Sequence, residues 1–345
     1  MNIDAVKQGI YKIPVKTKTD SANYTFLQNV LFGLPSVSSN GDFIMMDYAS
    51  RGIHVAQEAI KGADPTRVNY GTGFNEKAIF GLYYNDEDQV AVSQAKNRVS
   101  MEEPLDNPWD QDIRLAYLLA DKRDAIIESH IRAFEKACAE AALTGQFTAR
   151  NEGVQAFPMT SALLSVSGAS MSTSPIAKLT AGAKAIIKTK GGKPTMLVMN
   201  PDDAVTLLQS TAMKDLLDNR RVLGNESYFK AIDETGASYC GSVNVPGIGS
   251  IDIIAYFGGY DNAGTFTYYI PQGKAILAPA AIGCKGYCGV YVEAGDFTGT
   301  AAVEHGVHVW AKKENLPGTT HVQVQSAPAP IITEIDRYCV FTSIS

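Results

Sequence analysis

An α+β fold with parts that cannot bury themselves is what this 345-residue sequence predicts. One helical pattern, broken only at Asp124, runs through 110–144. Short strand-like runs, punctuated by glycine and turn residues, fill much of the rest. Two stretches near the front, 1–48 and 49–100, hold apolar residues without a period that would pack them. The reading is therefore a helix-backed antiparallel lobe, a second mixed lobe and two projecting elements.

The length points the same way, being large for one compact core and suited to two lobes or one lobe with extensions. With 45% hydrophobic and 19% charged residues the composition is that of a globular chain. A protein that grips nucleic acid usually carries a basic excess, whereas the net charge here is −6. Lys7, Lys12, Lys16 and Lys18 face Asp4 and Asp20 at the front, a pattern that reads as a solvated terminus before it reads as a DNA contact. Five scattered cysteines (Cys138, Cys240, Cys284, Cys288, Cys339) read as reduced thiols of a cytosolic protein. The start, Met1-Asn2-Ile3-Asp4, has no signal-peptide character, and without a run of about eighteen apolar residues no membrane span is expected.

Taking the elements in order, Phe26, Leu27, Val30, Leu31, Phe32 and Leu34 form an apolar patch closed by Pro35. It reads as an arm that docks elsewhere. Residues 49–100 carry Gly52, Gly62, Gly71, Gly73 and Gly81 between β-like runs such as Ala78–Tyr84 and Gln89–Ser93. Two strands in a long protruding hairpin suit them, and such a hairpin needs a partner surface. Pro108 and Asp110 open the long helix, and Gly145 stops it. Ile113, Tyr117, Ala120, Ile127, Ile131, Phe134, Cys138 and Ala141 step along it by threes and fours apart from a break at Asp124, and Ile113, Tyr117, Ile127, Ile131 and Phe134 are the expected core face. Asp110–Arg114 and Glu128–Arg132 are i,i+4 pairs. At 1.5 Å per residue the helix is about 50 Å long, a beam rather than a packed rod.

Ser174-Pro175 caps a second helix with Ile176, Leu179, Ala183 and Ile187 on one stripe, ended by Gly191-Gly192. A buried strand Thr195–Met199 follows. Asn200-Pro201 then caps a third helix whose core face would be Val205, Leu208, Ala212 and Leu216. Strands Ile251–Phe257 and Thr265–Ile270 flank a turn at Asp261-Asn262-Ala263-Gly264. His321–Gln325 alternates Val322 and Val324 as a last strand.

Several blocks, in this order, resemble the lambda-type major head proteins of tailed phages. They are Met199-Asn200-Pro201, Asn219-Arg220-Arg221, the apolar strand Ile251 to Tyr256 and the turn Gly259-Tyr260-Asp261. A block from Tyr269 through Pro271 to Leu277, the segment Gly286-Tyr287-Cys288-Gly289, and Gln325-Ser326-Ala327-Pro328 with Ile331-Ile332 complete them. Phe26-Leu27 sits where that family's arm begins, so the resemblance spans about 24–345. It implies the Hong-Kong-97-type capsid fold. The arm would be 1–48, the extended loop 49–104, the peripheral domain 105–191 with spine helix 110–144, the axial domain 192–290, and 291–345 the return to the peripheral domain. It also implies pentamers and hexamers closing an icosahedral shell around double-stranded DNA, assembled in host cytoplasm with a separate scaffolding protein, a portal and sometimes a decoration protein. A cellular nanocompartment shell shares the same fold and is the nearest alternative.

Candidate chemistry is sparse. Glu304-His305 with His308 could be imagined as metal ligands, but in an extended segment the two histidines point to opposite faces, which defeats chelation. Cys284 and Cys288 lack a second pair at zinc spacing. Cys288, between Tyr287 and Gly289, looks like a nucleophile, the basis of a thiol-hydrolase alternative, yet no base can be named for it. Gly168–Ser172 lacks the second glycine of a nucleophile elbow, Gly247-Ile248-Gly249 precedes a strand rather than a helix, and Glu102-Glu103 reads as a solvated pair. A surface carbohydrate- or host-binding module is disfavoured by the apolar arm and spine. No catalytic, cofactor or metal site is expected.

Overall fold

The computed structural model describes residues 24–50, 73–91, 93–96, 111–150, 152–166, 170–171, 173–190, 192–213, 232–292, 302–304, 306–313, 319–342 and 344. The N-terminal lysines, residues 51–72, the Pro108 and Asp110 helix start, Gly191, Leu216 and Asn219-Arg220-Arg221 lie outside them.

A single turn of π-helix, Leu27–Leu31, leads into β1 (Leu34–Ser38), β2 (Phe43–Ser50), β3 (Gly73–Phe80) and β4 (Tyr84–Ala91). Helix α1 (Gln111–Thr144) is followed by a small hairpin of β5 (Gln146–Ala149) and β6 (Gly153–Ala156). Next come α2 (Ser161–Leu164), α3 (Pro175–Lys190), β7 (Met196–Met199) and α4 (Pro201–Gln209). Strands β8 (Ala237–Val245), β9 (Gly249–Tyr256), β10 (Gly259–Asn262), β11 (Thr265–Tyr268) and β12 (Ala275–Ala278) complete the middle of the chain. The remainder is β13 (Gly283–Tyr287), β14 (Val290–Val292), β15 (Ala302–Glu304), β16 (Val307–Lys313), β17 (Thr319–Ser326), β18 (Pro328–Ile332) and β19 (Cys339–Phe341).

A five-stranded sheet, β19-β12-β7-β9-β8, separates two cores. Successive strand residues point to opposite faces. Met196, Val198, Ile276, Ala278 and Val340 accordingly pack into one core, with Phe26, Leu31, Phe134, Cys138 and Phe147. Leu197, Met199, Ala275, Leu277 and Phe341 pack into the other, with Leu179 and Ile186 of α3 and Ala204 and Leu207 of α4. Burial on both faces explains why Met196–Met199 and Ala275–Ala278 are unbroken apolar runs with no alternation. The entry segment belongs to the first core, since Phe26, Leu27, Leu31 and Phe32 are all buried.

The long helix is present, and Gly145 ends it with φ +68, a backbone shape that glycine takes without a Cβ clash. Its buried face differs from the expected one. Phe134 is 4% exposed and in the core, Tyr117, Ile127 and Ile131 are half-buried, and Ile113 is 52% exposed, so Ile113 is not core in this chain. The buried row is Ile126, His130, Phe134, Ala137, Cys138 and Ala141. Two causes act. Repeated i+4 steps overshoot a full turn by about 40° each and walk off any straight face. In addition, the N-terminal half of α1 packs outside the two main cores, on residues 94–96, where Arg114 reaches the Lys96 carbonyl, and in a small cluster of Leu119, Ile126 and Ile127 on Val322 and Val324.

The same drift misplaces the other two stripes. On α3 the buried apolar stripe is Leu179, Ala183 and Ile186, while Ile187 is exposed. On α4 Val205 is exposed and Ala204 and Leu207 are buried. There the face is set by the start of the helix. Asn200 Oδ1 accepts from Asp202 N–H at 2.9 Å and its Nδ2 donates to the Ile270 carbonyl, and Asp203 accepts from Gly273 N–H at 2.7 Å.

The strands expected between 49 and 100 do not pair with each other. β3 pairs antiparallel with β2, from Phe43↔Phe80 to Ser50↔Gly73, so the hairpin begins inside the stretch expected as the arm. β4 instead joins β17, and that pair continues into β16. The run Ala78–Tyr84 is broken at Gly81, where a Cβ would lie 2.9 Å from both the Ala327 carbonyl and Cys288 Sγ. The chain passes too close to the β17–β18 corner there for a side chain, and the strand ends. Among the described residues no helix is long and apolar enough to cross a membrane.

These burials separate two substitutions on one helix. Phe134→Ala should destabilise the chain by about 3–5 kcal/mol, and Ile113→Ala by no more than about 0.5 kcal/mol. Denaturant titration of the unassembled chain measures both, and equal losses would contradict the placement of α1.

Candidate functional site

The polar groups that α1 buries are the chemically distinctive feature of the chain. Glu135 lies on the buried side of α1, its row carrying Cys138, Ala139 and Ala142, and it is completely inaccessible. Its Oε1 accepts from Leu27 N–H at 2.7 Å and its Oε2 from Gln28 N–H at 3.0 Å. The Tyr256 hydroxyl, at the end of β9, reaches Oε1 at 2.6 Å and the Tyr24 carbonyl at 3.0 Å. Tyr256 also stacks on Tyr269 with centroids 6.2 Å apart and tilts against Phe26. The Tyr269 hydroxyl donates to the Arg132 carbonyl one turn earlier on α1. One carboxyl group therefore holds the entry segment, the long helix and the sheet together. Burial pushes its pKa up to about 7, against the opposing pull of the Tyr256, Gln28 and Leu27 donors.

Five residues earlier, His130 makes a second junction. Nε2 is 3.1 Å from Asp86 Oδ2 on β4, and Nδ1 is 2.9 Å from Ser326 Oγ on β17. Its ring leans on Tyr84 at 5.4 Å. A neutral imidazole satisfies both contacts, donating from Nε2–H and accepting the Ser326 hydroxyl. Burial drives the His130 pKa below its ordinary 6.5, with Asp86 pulling the other way. Next to this junction His321 contacts Glu87, and Lys122 pairs with Asp88 at 2.8 Å.

The residues with a catalytic look are placed otherwise. All five cysteines are buried free thiols. Burial raises the Cys288 pKa to about 11, the reverse of what an activated nucleophile needs. Cys288 backs a cleft of about 200 Å³ whose charged lining is Asp42, Arg150 and Glu152, with no imidazole among its walls. His308 is half-buried on β16, and His305, Glu102 and Glu103 lie outside the described residues. No three His, Cys, Asp or Glu side chains are grouped to hold a metal among the described residues.

Of the five residues expected on the core face of α1, only Phe134 shares the first core with Glu135. Sequence reading passed over Glu135 and His130. The signal was there once the row is drawn as 126, 130, 134, 137, 138 and 141. His130 falls on it, and Glu135 has Cys138 and Ala142 at i+3 and i+7. Polar residues set in an apolar row carry partners, and both of these do.

A family model described as Phage major capsid protein E matches residues 15–343. No curated protein sequence matches the chain. Among solved structures, one assigned as a prophage capsid protein of E. coli CFT073 is 18% identical, covers 78% of this chain and 79% of that one, and has a TM-score of 0.60. The mature capsid subunit of bacteriophage PhiM1 is 10% identical over 89% and 84%, with a TM-score of 0.51. The holo-SrpI encapsulin complex from Synechococcus elongatus is 12% identical over 99% and 96%, with a TM-score of 0.50. These likenesses show the fold, which is the Hong-Kong-97-type capsid fold.

The His130 junction has a defined pH sign. A histidine held neutral contributes stability that is complete above its unfolded pKa near 6.5 and is lost as pH falls below it. Replacing it, as in His130→Gln, should remove this part of the acid-side loss, at a neutral-pH penalty of about 1–3 kcal/mol from unsatisfied partners. Denaturant midpoints followed across acid and neutral pH measure both effects. An unchanged acid slope in the variant would count against a neutral, buried His130.

Proposed function

We propose that this chain, which belongs to the phage major capsid protein E family and is a structural subunit of an icosahedral phage capsid, closes that shell through pentamers and hexamers. The observation carrying the reading is the family match across 15–343, nearly the whole chain. As a capsid protein it is a component of the virion.

Within that role the parts divide as follows. Helix α1 with the β16-β17-β4 sheet is the peripheral domain, and Tyr117, Ile127, Ile131 and Phe134 are its inward side. The five-stranded sheet, with the β10–β11 hairpin and helices α3 and α4, is the axial domain. The β2–β3 hairpin is the base of the extended loop, which moves its start from 49 to about 43, and the segment before β1 is the arm. Support comes from side chains this subunit leaves uncovered. Phe43 and Met45 lie on the outer face of β2, Phe266 on the β10–β11 hairpin, and Ile113 near the start of α1. Ile113, expected in the core, is on this reading a contact to a neighbouring copy.

A separate scaffolding protein, a portal and a decoration protein are the partners that fit a phage shell, assembled in host cytoplasm and filled with double-stranded DNA. Contact with that DNA at the inner surface would be non-specific and local, since a net charge of −6 supplies no basic excess for gripping it. The subunit acts through its contacts and not as an enzyme. A nanocompartment shell is the second reading, favoured by the fold shared with the encapsulin. The contents of purified shells separate the two, DNA for one and a cargo enzyme for the other.

Expressed alone or with its neighbouring head genes, the chain should give rings or closed shells in negative-stain micrographs. A monodisperse monomer under every condition would overturn the proposal. Met45 and Phe266 are 53% and 57% exposed, so Met45→Asp and Phe266→Asp should leave subunit stability within about 0.5 kcal/mol. Each should still raise the concentration needed for assembly by about tenfold or more, the effect of roughly 1.4 kcal/mol lost at a contact. Light scattering against subunit concentration reads that shift.

A further inference from the structure

The hydrogen bonds around Glu135 do not close if the carboxyl is ionised. Tyr256 has one hydroxyl hydrogen and two oxygens within reach, Glu135 Oε1 at 2.6 Å and the Tyr24 carbonyl at 3.0 Å. With a carboxylate, that hydrogen goes to Glu135 and the Tyr24 carbonyl goes without it. With a carboxylic acid, the Glu135 O–H donates to the tyrosine oxygen and the tyrosine O–H donates to Tyr24. Both short contacts are then hydrogen bonds. Oε2 still accepts Gln28 N–H, and Oε1 keeps a lone pair for Leu27 N–H.

The surroundings also favour the neutral form. The groups facing Glu135 from each side are Tyr256 and Tyr269 from the β9 to β12 region and Cys138 from its own helix, with Tyr24 at the near end of the entry segment. Tyr256, Tyr269 and Cys138 are all driven upward by burial and stay uncharged. The nearby cations serve other groups. Lys136 lies over the Tyr260 ring, Lys285 donates to Asn29, and Arg132 pairs with Glu128. Among the described residues no cation is within ion-pair distance of Glu135.

We propose that Glu135 is a proton-operated latch, which when protonated holds residues 24–32 against α1 and when ionised loosens them. The position makes it effective. Loosening that segment uncovers Phe26, Leu27, Leu31 and Phe32 and one face of the five-stranded sheet. Those apolar contacts keep the segment mostly docked at any pH. The proton therefore sets how often it opens rather than whether it is ordered.

The sign follows from linkage. A carboxyl whose ordinary pKa is 4.5 and whose docked pKa is about 7 binds its proton more tightly when docked. Docking is thus favoured at low pH, and the advantage is lost as pH rises through about 7. With each pKa unit a factor of ten, the opening equilibrium should rise about thirtyfold between roughly pH 5.5 and 8.5.

Hydrogen–deuterium exchange by mass spectrometry tests this on the full-length chain, in the assembly state in which it purifies. Rates for peptides spanning 24–32 are divided by those of an unprotected peptide at each pH. The normalised rate should climb across this range in the natural chain and stay flat in Glu135→Gln. Tyr256→Phe removes a partner of both forms, the donor to the carboxylate and the acceptor of the acid's O–H, and should move the midpoint by about a unit. A purely structural tyrosine would change protection equally at every pH. A flat profile in the natural chain, a rise that survives in Glu135→Gln, or an unmoved midpoint in Tyr256→Phe would each overturn the latch. If Glu135→Gln does not fold, the natural chain and Tyr256→Phe decide the matter.

Discussion

Strands β7, β12 and β19 of the five-stranded sheet have no solvent face, and most of the architecture follows from that constraint. Met196 and Val198 need apolar partners on one side, and Leu197 and Met199 need them on the other. Helices α3 and α4 supply the second side. The C-terminal half of α1 supplies the first, together with Phe26, Leu31 and Phe32 from the entry segment. The segment before β1 is therefore structural. Without it, Tyr256 and Ile276 would face water over a large apolar surface.

How much of this was legible in the sequence depends on the range of the interaction. Local chemistry read well. The α1 pattern, its stop at Gly145, the Asn200 cap and the turn at Asp261–Gly264, where Asp261 accepts from Gly264 N–H at 2.7 Å, are all decided within a few residues. Helix faces read less well, because Ile187 and Val205 sit one residue, about 100° around the helix, from the buried Ile186 and Ala204, and only the packing decides which side is covered. Strand partners did not read at all between 43 and 91. Whether β3 meets β2 or β4 depends on a corner near Ala327 more than two hundred residues away, which forbids a side chain at Gly81. Glu135 and His130 were hidden for a related reason. Their partners at 24–28, 86, 256 and 326 are distant in sequence, and a Glu or His on a helix is read as solvated until those partners are known.

The two buried titratable groups of α1 act in opposite senses. His130 is held neutral by burial and weakens its junction with β4 and β17 when acid protonates it. Glu135 is held neutral by burial and weakens its junction with the entry segment when base ionises it. Each end of the pH scale thus loosens a different attachment of the same helix, and the helix is held best between them. A fully apolar junction would be at least as stable, since burying ionisable groups carries a desolvation penalty. What the polar groups add is direction. The two backbone N–H groups at Leu27 and Gln28 fix where the entry segment sits along α1 to within a hydrogen bond, which Ala139 and Ala142 alone could not do.

That fixed body bears on how a shell can close. Among the described residues, uncovered apolar side chains stand in several separate places, including Phe43 and Met45 on a hairpin strand, Phe266 on a two-stranded projection, Ile113 at one end of α1, Val205 on α4, and Val307 and Val309 on β16. Singly or in pairs, such side chains are compatible with a dissolved subunit. Contacts this small are individually weak and reversible, and they become strong only when several neighbours are engaged together and the ordering of the subunit is shared among them. A single strong patch would trap subunits in wrongly closed pairs. Several weak ones on a rigid frame let misplaced subunits leave, and they reward the arrangement in which every site is filled. The two-faced sheet and the tethers on α1 supply that rigidity, since contacts so scattered can be satisfied together only if the distances between them do not change.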